Sequence, residues 1–217
     1  MSAKRLALIV VPVLFLVSIA RAQDTSNLSE RNELSFTAGR TFVSTQTVPS
    51  TDLPLHFGNP LTLGGDYARL IKHHKIFGLY AELPVAFCPK MNLNYRENVI
   101  PASYKSLFVT PSVRLNIFSG QGFTVWGSAG GGYARFFESS NLIWYNPNTG
   151  PTGTNTFAAQ FGAGLDAWIR HRLGVRVEVR DYYSGVPDLS AVPSEPFSTG
   201  RSRQHNYYVG VGVVHRF

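Results

Sequence analysis

The sequence predicts an all-β fold: one eight-stranded antiparallel up-and-down transmembrane β-barrel preceded by a cleavable signal peptide. Three observations predict it. Apolar and polar residues alternate with period two in eight segments, the connections between those segments alternate long and short, and the first 22 residues read as an export signal.

The export signal comes first in the chain. Lys4 and Arg5 form a charged start, Leu6 to Ile19 an apolar run, and Ala20-Arg21-Ala22 a small-residue cleavage site before Gln23. The run falls short of the roughly 20 residues a helix needs to span a bilayer, and Pro12 interrupts it. Residues 1–22 are therefore expected to be removed, and residues 23–217 to form one barrel domain of 195 residues. No Cys follows the cleavage site, which excludes a lipoprotein signal. The formal charge of +7 falls to +4 when Lys4, Arg5 and Arg21 leave. So modest an excess, which a nucleic-acid footprint would need clustered on one face, leaves no nucleic-acid partner expected. Cys88 is the only cysteine, so no internal disulfide holds the exported chain together.

The eight alternating segments are 33–44, 61–71, 75–87, 104–118, 123–137, 157–169, 173–183 and 203–217. Between them the connections run long (45–60), short (72–74), long (88–103), short (119–122), long (138–156), short (170–172) and long (184–202). Short turns on one rim and long loops on the other are what a membrane-spanning up-and-down barrel produces. An even strand count sets both termini at the short-turn rim.

Alternation also sorts the two faces. Phe77, Leu79, Ala81, Leu83, Val85 and Phe87 share one face, against Gly78, Tyr80, Glu82, Pro84 and Ala86. Leu173, Val175, Val177 and Val179 likewise oppose Gly174, Arg176, Glu178 and Arg180. A soluble barrel of the lipocalin kind would turn the apolar face inward, so alternation alone does not decide. The polar face decides: it holds few charges per strand and much Gly, Ser and aromatic, which suits the crowded lumen of an eight-stranded barrel better than a solvated surface. Aromatics also gather at segment ends (Phe42, Phe77, Phe87, Tyr104, Phe118, Phe123, Phe137, Tyr183, Tyr207, Phe217), as two interfacial girdles require.

The final segment sets Tyr207, Val209, Val211, Val213 and the terminal Phe217 on one face, with His215 beside the rim. An alternating strand ending in Phe resembles the C-terminal signal read by the machinery that inserts barrels. Closing it against the first strand would remove every sheet edge, as a sheet in lipid must.

These features together resemble the small eight-stranded outer-membrane β-barrels of the OmpA-like and OmpX-like kind. The motifs that carry the resemblance are Gly162-Ala163-Gly164-Leu165-Asp166 before a basic turn, Leu173-Gly174-Val175-Arg176-Val177-Glu178-Val179-Arg180 after it, Thr110-Pro111-Ser112-Val113-Arg114-Leu115, and the last strand. It covers the whole mature chain, and nothing after Phe217 matches the periplasmic domain of full-length OmpA-like proteins. The resemblance implies residence in the outer membrane of a Gram-negative-type bacterium, with the insertion machinery, outer-membrane lipid and lipopolysaccharide as partners.

Asp66, Glu82, Arg114, Asp166, Arg176, Glu178 and Arg180 are the charges expected to point into the lumen. Unpaired they would be costly, so they should form one ion-paired, hydrogen-bonded network. Such a network reads first as a structural plug that fixes register, second as a narrow ion path, and last as a pair of catalytic carboxylates. A weak internal echo supports the placement. Phe77-Gly78-Leu79-Tyr80-Ala81-Glu82 resembles Leu173-Gly174-Val175-Arg176-Val177-Glu178, each after a strand with an Asp and a basic turn, Lys72-His73-His74-Lys75 or Arg170-His171-Arg172. These hairpins should face each other across the lumen, with the basic turns against anionic headgroups at the short-turn rim.

No catalytic, cofactor or metal site emerges. Adjacent His73 and His74 point apart on an extended chain, and Gly127, Gly130, Gly131 and Gly132 lie inside a strand without the helix a phosphate loop needs. Their expected role is to let Tyr133 or another aromatic pack closely. Ser202, His205 and Glu195, in or beside the last loop, could be forced into a lipid-hydrolysing triad, but the His-x-Ser spacing of the lipid A deacylases is absent. Pro111 poses a backbone question: it lacks a ladder donor, so a bulge or a lost bond is expected there. The loops 45–60, 88–103, 138–156 and 184–202, with the aromatic stretch Leu142-Ile143-Trp144-Tyr145, are where a surface ligand would bind. The functional expectation is a non-enzymatic structural or surface-interaction barrel; a small passive pore and a lipid A-modifying hydrolase are the alternatives.

Overall fold

The computed structural model describes residues 30–118, 122–144, 146–191 and 197–217. The signal peptide expected at 1–22, most of the 119–122 turn, Tyr145 and Glu195 lie outside the described residues. The strands are β1 (Asn32–Val43), β2 (Gln46–Val48), β3 (Leu53–Phe57), β4 (Leu61–His74), β5 (Phe77–Asn94), β6 (Ser103–Val109), β7 (Ser112–Ile117), β8 (Phe123–Glu138), β9 (Thr154–Trp168), β10 (Leu173–Gly185) and β11 (Arg203–Arg216).

These strands close into a ring of eight staves. β1 pairs with β4, β4 with β5, β5 with both β6 and β7, both of these with β8, and then β8 to β11 pair in succession. β11 returns to β1 from Glu33↔Arg216 to Val43↔Asn206. Beyond them the Asn32 amide donates to the Phe217 carbonyl at 3.0 Å, and the Phe217 amide to that of Asn32 at 2.9 Å. All pairings are antiparallel, and closure leaves the ring without an edge strand.

β6 and β7 form one stave interrupted at Thr110-Pro111. Val85↔Val109 and Glu82↔Ser112 on one side, and Val109↔Tyr133 and Ser112↔Gly130 on the other, keep a single register across the gap. No residue is inserted, so Pro111 costs a ladder bond rather than making a bulge. Its carbonyl still accepts from the Gly131 amide at 3.1 Å, and the Thr110 amide donates to the Pro84 carbonyl at 3.2 Å. The glycines opposite serve this interruption. A Cβ on Gly132 would stand 2.2 Å from the Val109 carbonyl oxygen, and one on Gly130 2.3 Å from that of Pro111. Of the cluster, only Gly131 makes room for an aromatic, with Phe157 2.8 Å from its would-be Cβ. The expectation of aromatic packing is therefore corrected at Gly130 and Gly132, where the close neighbour is the backbone of the broken stave.

Two further differences concern the long-loop side. β5 runs on to Asn94, so much of the expected 88–103 loop is strand, and its alternation resumes one residue out of phase beyond an irregularity at Pro89-Lys90, with Cys88, Met91 and Leu93 buried. Within 45–60, β2 and β3 form a hairpin through a turn in which Thr51 and Asp52 amides donate to Val48 and Asp52 takes φ 54°. That hairpin joins β5 through His56↔Asn94 and Phe57↔Leu93. Its strands are too short for periodicity to mark, yet Val48 and Leu55 are completely buried.

The barrel is apolar outside and polar inside. Phe36, Leu63, Leu83, Val113, Phe161 and Val179 are exposed, as are Tyr207, Val209, Val211, Val213 and Phe217 of the last strand, while Arg114 and Arg176 are 0% exposed. Tyr104 departs from the girdle expected of it. It is 1% exposed and points inward, because β6 begins at Ser103 with the even-numbered residues facing the lumen.

Candidate functional site

The lumen has two storeys, and alternation along the staves fills both. In the half nearer the short turns, Glu33, Ser35 and Thr37 come from β1, Asp66 from β4, and Tyr80 and Glu82 from β5. Arg114 comes from β7, Trp126 from β8, Asp166 from β9, and Arg176, Glu178 and Arg180 from β10. All are buried. The structure brings all seven sequence-derived charges into this one cluster.

Arg176 is held on two sides. Its Nε and Nη2 donate to the Asp166 carboxylate at 2.7 and 2.8 Å, and its Nη1 to Asp66 at 2.6 Å and the Ser35 hydroxyl at 3.1 Å. Arg180 donates from Nη2 to Glu82 at 2.8 Å and from Nε to Glu178 at 3.0 Å. Arg114 is hydrogen-bonded to Glu33 and stands 3.7 Å from both Asp66 and Glu82. The carboxylates have neutral donors as well: Thr37 to Glu178 at 2.8 Å, Ser112 to Glu82 at 3.0 Å, and Ser35 to Asp66. Each buried charge thus meets at least one opposite charge, and Asp66, Glu82, Asp166 and Glu178 each also accept from a neutral donor, which offsets the cost of removing them from water.

Trp126 is the centre of this storey. The guanidinium carbons of Arg176 and Arg180 lie 5.0 Å from its ring and that of Arg114 5.6 Å, while Arg114 also lies 4.8 Å from the Tyr80 ring. Its Nε1 donates to Asp166 at 3.3 Å. The electron-rich ring faces draw the three cations together where they would otherwise repel. Gly164 makes the space, since a Cβ there would lie 2.4 Å from the indole.

Glu33, Arg216 and Trp126 are members that sequence reasoning missed. Arg216 closes the floor, donating to Glu33 at 2.8 Å and lying 3.6 Å over the Trp168 ring. The signal for all three was the alternation itself. Glu33 shares a face with Ser35 and Thr37, Arg216 lies opposite the face of Phe217, and Trp126 alternates with Thr124 and Ser128 against Val125 and Gly127.

The upper storey joins an aromatic cluster to a buried polar wall, in which Gln204 donates to Asn206 at 3.1 Å, Asn206 to Ser184 at 3.1 Å, and Thr41 and Thr62 lie 2.8 Å apart. Phe108 stacks on Tyr182 at 4.7 Å and meets Phe136 edge-on at 6.0 Å, and Tyr104 meets Phe136 at 5.5 Å. This cluster continues through Cys88, Met91 and Leu93 into the loops, where Val48, Leu55, Tyr95, Ile100 and Leu189 are buried and Phe197 packs on Tyr95 at 5.5 Å. Trp144 stays 61% exposed at the loop surface, with its amide held by Asn98 Oδ1 at 2.9 Å.

The other candidates do not converge. His73 and His74 end β4 as exposed residues, and Lys75 takes φ 52° in the turn. At the same rim Glu30 accepts from Arg172 at 2.5 Å and stands 3.2 Å from His171. His205 faces outward and is 2.6 Å from Asp181, between the Tyr183 and Tyr207 rings. Ser202 is exposed, and Glu195 lies outside the described residues.

Comparison with protein-family models and with curated proteins finds no match. Among solved structures, the outer-membrane protein OprG of Pseudomonas aeruginosa is similar at a TM-score of 0.54 and 12% identity, over 87% of this chain and 97% of OprG. The attachment invasion locus protein Ail of Yersinia pestis, solved with the heparin analogue sucrose octasulfate, aligns at 0.48 and 13% identity over 86% of this chain and 99% of Ail. Neisserial surface protein A aligns at 0.48 and 9% identity over 86% and 97%. The likeness to OprG is one of fold, and with the closed ring, its apolar exterior and its polar lumen it gives this chain the architecture of the small eight-stranded outer-membrane β-barrels.

Proposed function

We propose that residues 23–217, freed of a signal peptide at 1–22, form a non-enzymatic outer-membrane barrel. Its lumen is a structural plug and its external loops carry a surface-interaction role. The observation that supports this reading is the two-storey filling: a charge network welds the lower half, and an aromatic cluster continuous with the loops, with hydrogen-bonded polar side chains beside it, fills the upper half. Phe108, Phe136, Tyr104 and Met91 pack into the upper lumen beside the hydrogen-bonded Gln204 and Asn206, and the charge network fills the half below, so both storeys are filled with side chains. This weighs against the passive pore. His205 faces outward and is held by Asp181, and among the described residues no serine hydrogen-bonds it, which weighs against a lipid hydrolase.

Single-channel recording in planar bilayers is the test. The folded protein is expected to leave the bilayer silent, and discrete conductance steps would overturn the plug. Surface interaction is read separately, by comparing binding of host-cell or matrix material to cells carrying the intact chain and to cells carrying versions with loops 45–60, 138–156 and 184–202 shortened. Equal binding by both would remove the loops from the function.

A further inference from the structure

The exterior carries a cationic patch outside the lumen network. Lys90 on β5, Lys105 on β6 and Arg135 on β8 lie on three laterally adjacent staves, and all three are exposed. Register brings them together. Lys105 pairs with Phe137 and Leu107 with Arg135, which makes Lys105 and Arg135 diagonal neighbours on one face. The irregularity between Cys88 and Met91, opposite Ser106 and Tyr104, sets Lys90 beside Lys105. All three stand just beyond the apolar band, whose exposed members on these staves include Phe87 and Tyr133, and on the side of the long loops.

Some other exterior cations have partners: Arg40 donates to the Asn59 carbonyl at 2.6 Å, Arg172 pairs with Glu30, and His205 pairs with Asp181. Arg69, Lys72, Arg170 and Arg203 are exposed without an ion pair among the described residues but do not gather on adjacent staves beside the long loops. Lys90, Lys105 and Arg135 make no ion pair with any carboxylate among the described residues. Glu138, on the same stave as Arg135, turns inward and accepts from Thr154 at 2.6 Å. Arg135 instead lies over the Phe137 ring, 4.7 Å from its centroid, which holds the guanidinium at the boundary between band and loops. Three like charges held side by side repel unless an anion lies between them.

We propose that Lys90, Lys105 and Arg135 bind the phosphate groups of a phosphorylated glycolipid in the outer leaflet. The proposal rests on the outer-membrane reading and deepens it. Height chooses the ligand class, because charged lipid headgroups stand just above the apolar band. Breadth chooses the source: adjacent strands lie about 4.8 Å apart, so three staves present cations across roughly 10 Å. That span suits a headgroup carrying more than one phosphate and exceeds the single phosphate of a glycerophospholipid. Arg135 supplies the forked donor that suits a phosphate face, and the lysines act as point charges.

The test folds the full mature chain into phosphatidylcholine vesicles containing diphosphoryl lipid A, monophosphoryl lipid A or phosphatidylglycerol. Retained lipid is then counted by native mass spectrometry. The wild type is expected to retain diphosphoryl lipid A at least about tenfold better than the Lys90→Gln/Lys105→Gln/Arg135→Gln variant, since each basic residue near an anionic surface contributes substantially. Arg69→Gln, which removes an exposed cation of β4, should match the wild type. Equal retention by the triple variant, or retention of phosphatidylglycerol as strong as that of diphosphoryl lipid A, overturns the site. Insertion is read separately by heat-modifiable migration and protease protection. A wild-type chain that fails to insert overturns the membrane reading and this proposal with it, whereas an inserted chain without lipid selectivity overturns the site alone.

Discussion

The guanidinium of Arg176 bridges two walls of the barrel, 2.7 Å from Asp166 on the adjoining stave and 2.6 Å from Asp66 across the lumen. Backbone ladders tie each stave only to its neighbours. Arg176 supplies a side-chain tie between staves the ladder leaves apart. It does so in a space where an unpaired charge has nowhere to find water.

Arg176→Met should therefore destabilise the folded barrel by about 3–5 kcal/mol, because it leaves buried Asp166 without a cation and Asp66 with only the longer contacts to Arg114 and Arg180. Urea unfolding in vesicles measures it. The triple change Arg176→Met/Asp66→Asn/Asp166→Asn should recover a large part of the loss. If the single change costs under about 1 kcal/mol, the bridge is not structural.

Glu82 gives a second, independent probe. Its carboxylate accepts from Arg180 at 2.8 Å and Ser112 at 3.0 Å, whereas its neighbour Leu83 is 42% exposed on the outer face. Glu82→Leu should lower thermal stability more than Leu83→Ala. The first leaves Arg180 short of a partner in a closed interior, and the second trims a side chain that lipid can replace. Unchanged stability in both Glu82→Leu and Arg114→Leu would mean that the charges do not act as a network.

The broken stave makes a sharper structural prediction. Gly132→Ala puts a methyl 2.2 Å from a backbone oxygen that cannot swing away, while the nearest neighbour of a Cβ on Gly127 would be 3.8 Å off. Gly132→Ala should cost about 1–3 kcal/mol, and Gly127→Ala, in the same strand, should cost little. Equal effects would show that the penalty comes from glycine's place in a strand and not from the close approach at Pro111.

Topology can be read in cells. In a Cys88→Ser background, cysteines introduced at Ser50 and Asn148 should react with an impermeant maleimide on intact cells. Cysteines at His73 and His171 should react only after lysis. Labelling of position 171 in intact cells would invert the barrel.

How much of this was legible in the sequence follows from what periodicity can carry. Alternation assigns each residue to a face, and Arg114, Arg176 and Glu178 follow that rule down to their burial. The same rule held Glu33 and Trp126, which attract notice only once geometry shows them meeting Arg114. Alternation has no third dimension: it cannot say that Trp126 sits among three arginines or that Phe108 stacks on Tyr182. The β2–β3 hairpin escaped because strands of three and five residues hold too few periods. The outcome at Pro111 depended on whether the register shifts, which only the partner strands record.

Phe217 separates assembly from stability. Its backbone pairs with Asn32, so a side-chain change leaves the closing bonds in place. Its ring is 48% exposed and stacks only loosely on His215, with centroids 6.0 Å apart. From these contacts, Phe217→Asp should cost little once the barrel is folded, since a charge near the rim of the lipid face costs about 0–1 kcal/mol. If the last strand is also an insertion signal, the same change should sharply reduce outer-membrane protein in cells while export across the inner membrane continues. The two readings part in one paired experiment, refolding of purified Phe217→Asp into vesicles beside its fractionation from cells on a heat-modifiability gel. Near-normal refolding with depleted membrane protein assigns Phe217 to recognition during assembly. Normal abundance in the outer membrane reduces it to a girdle residue, and failure in both places gives it to the fold.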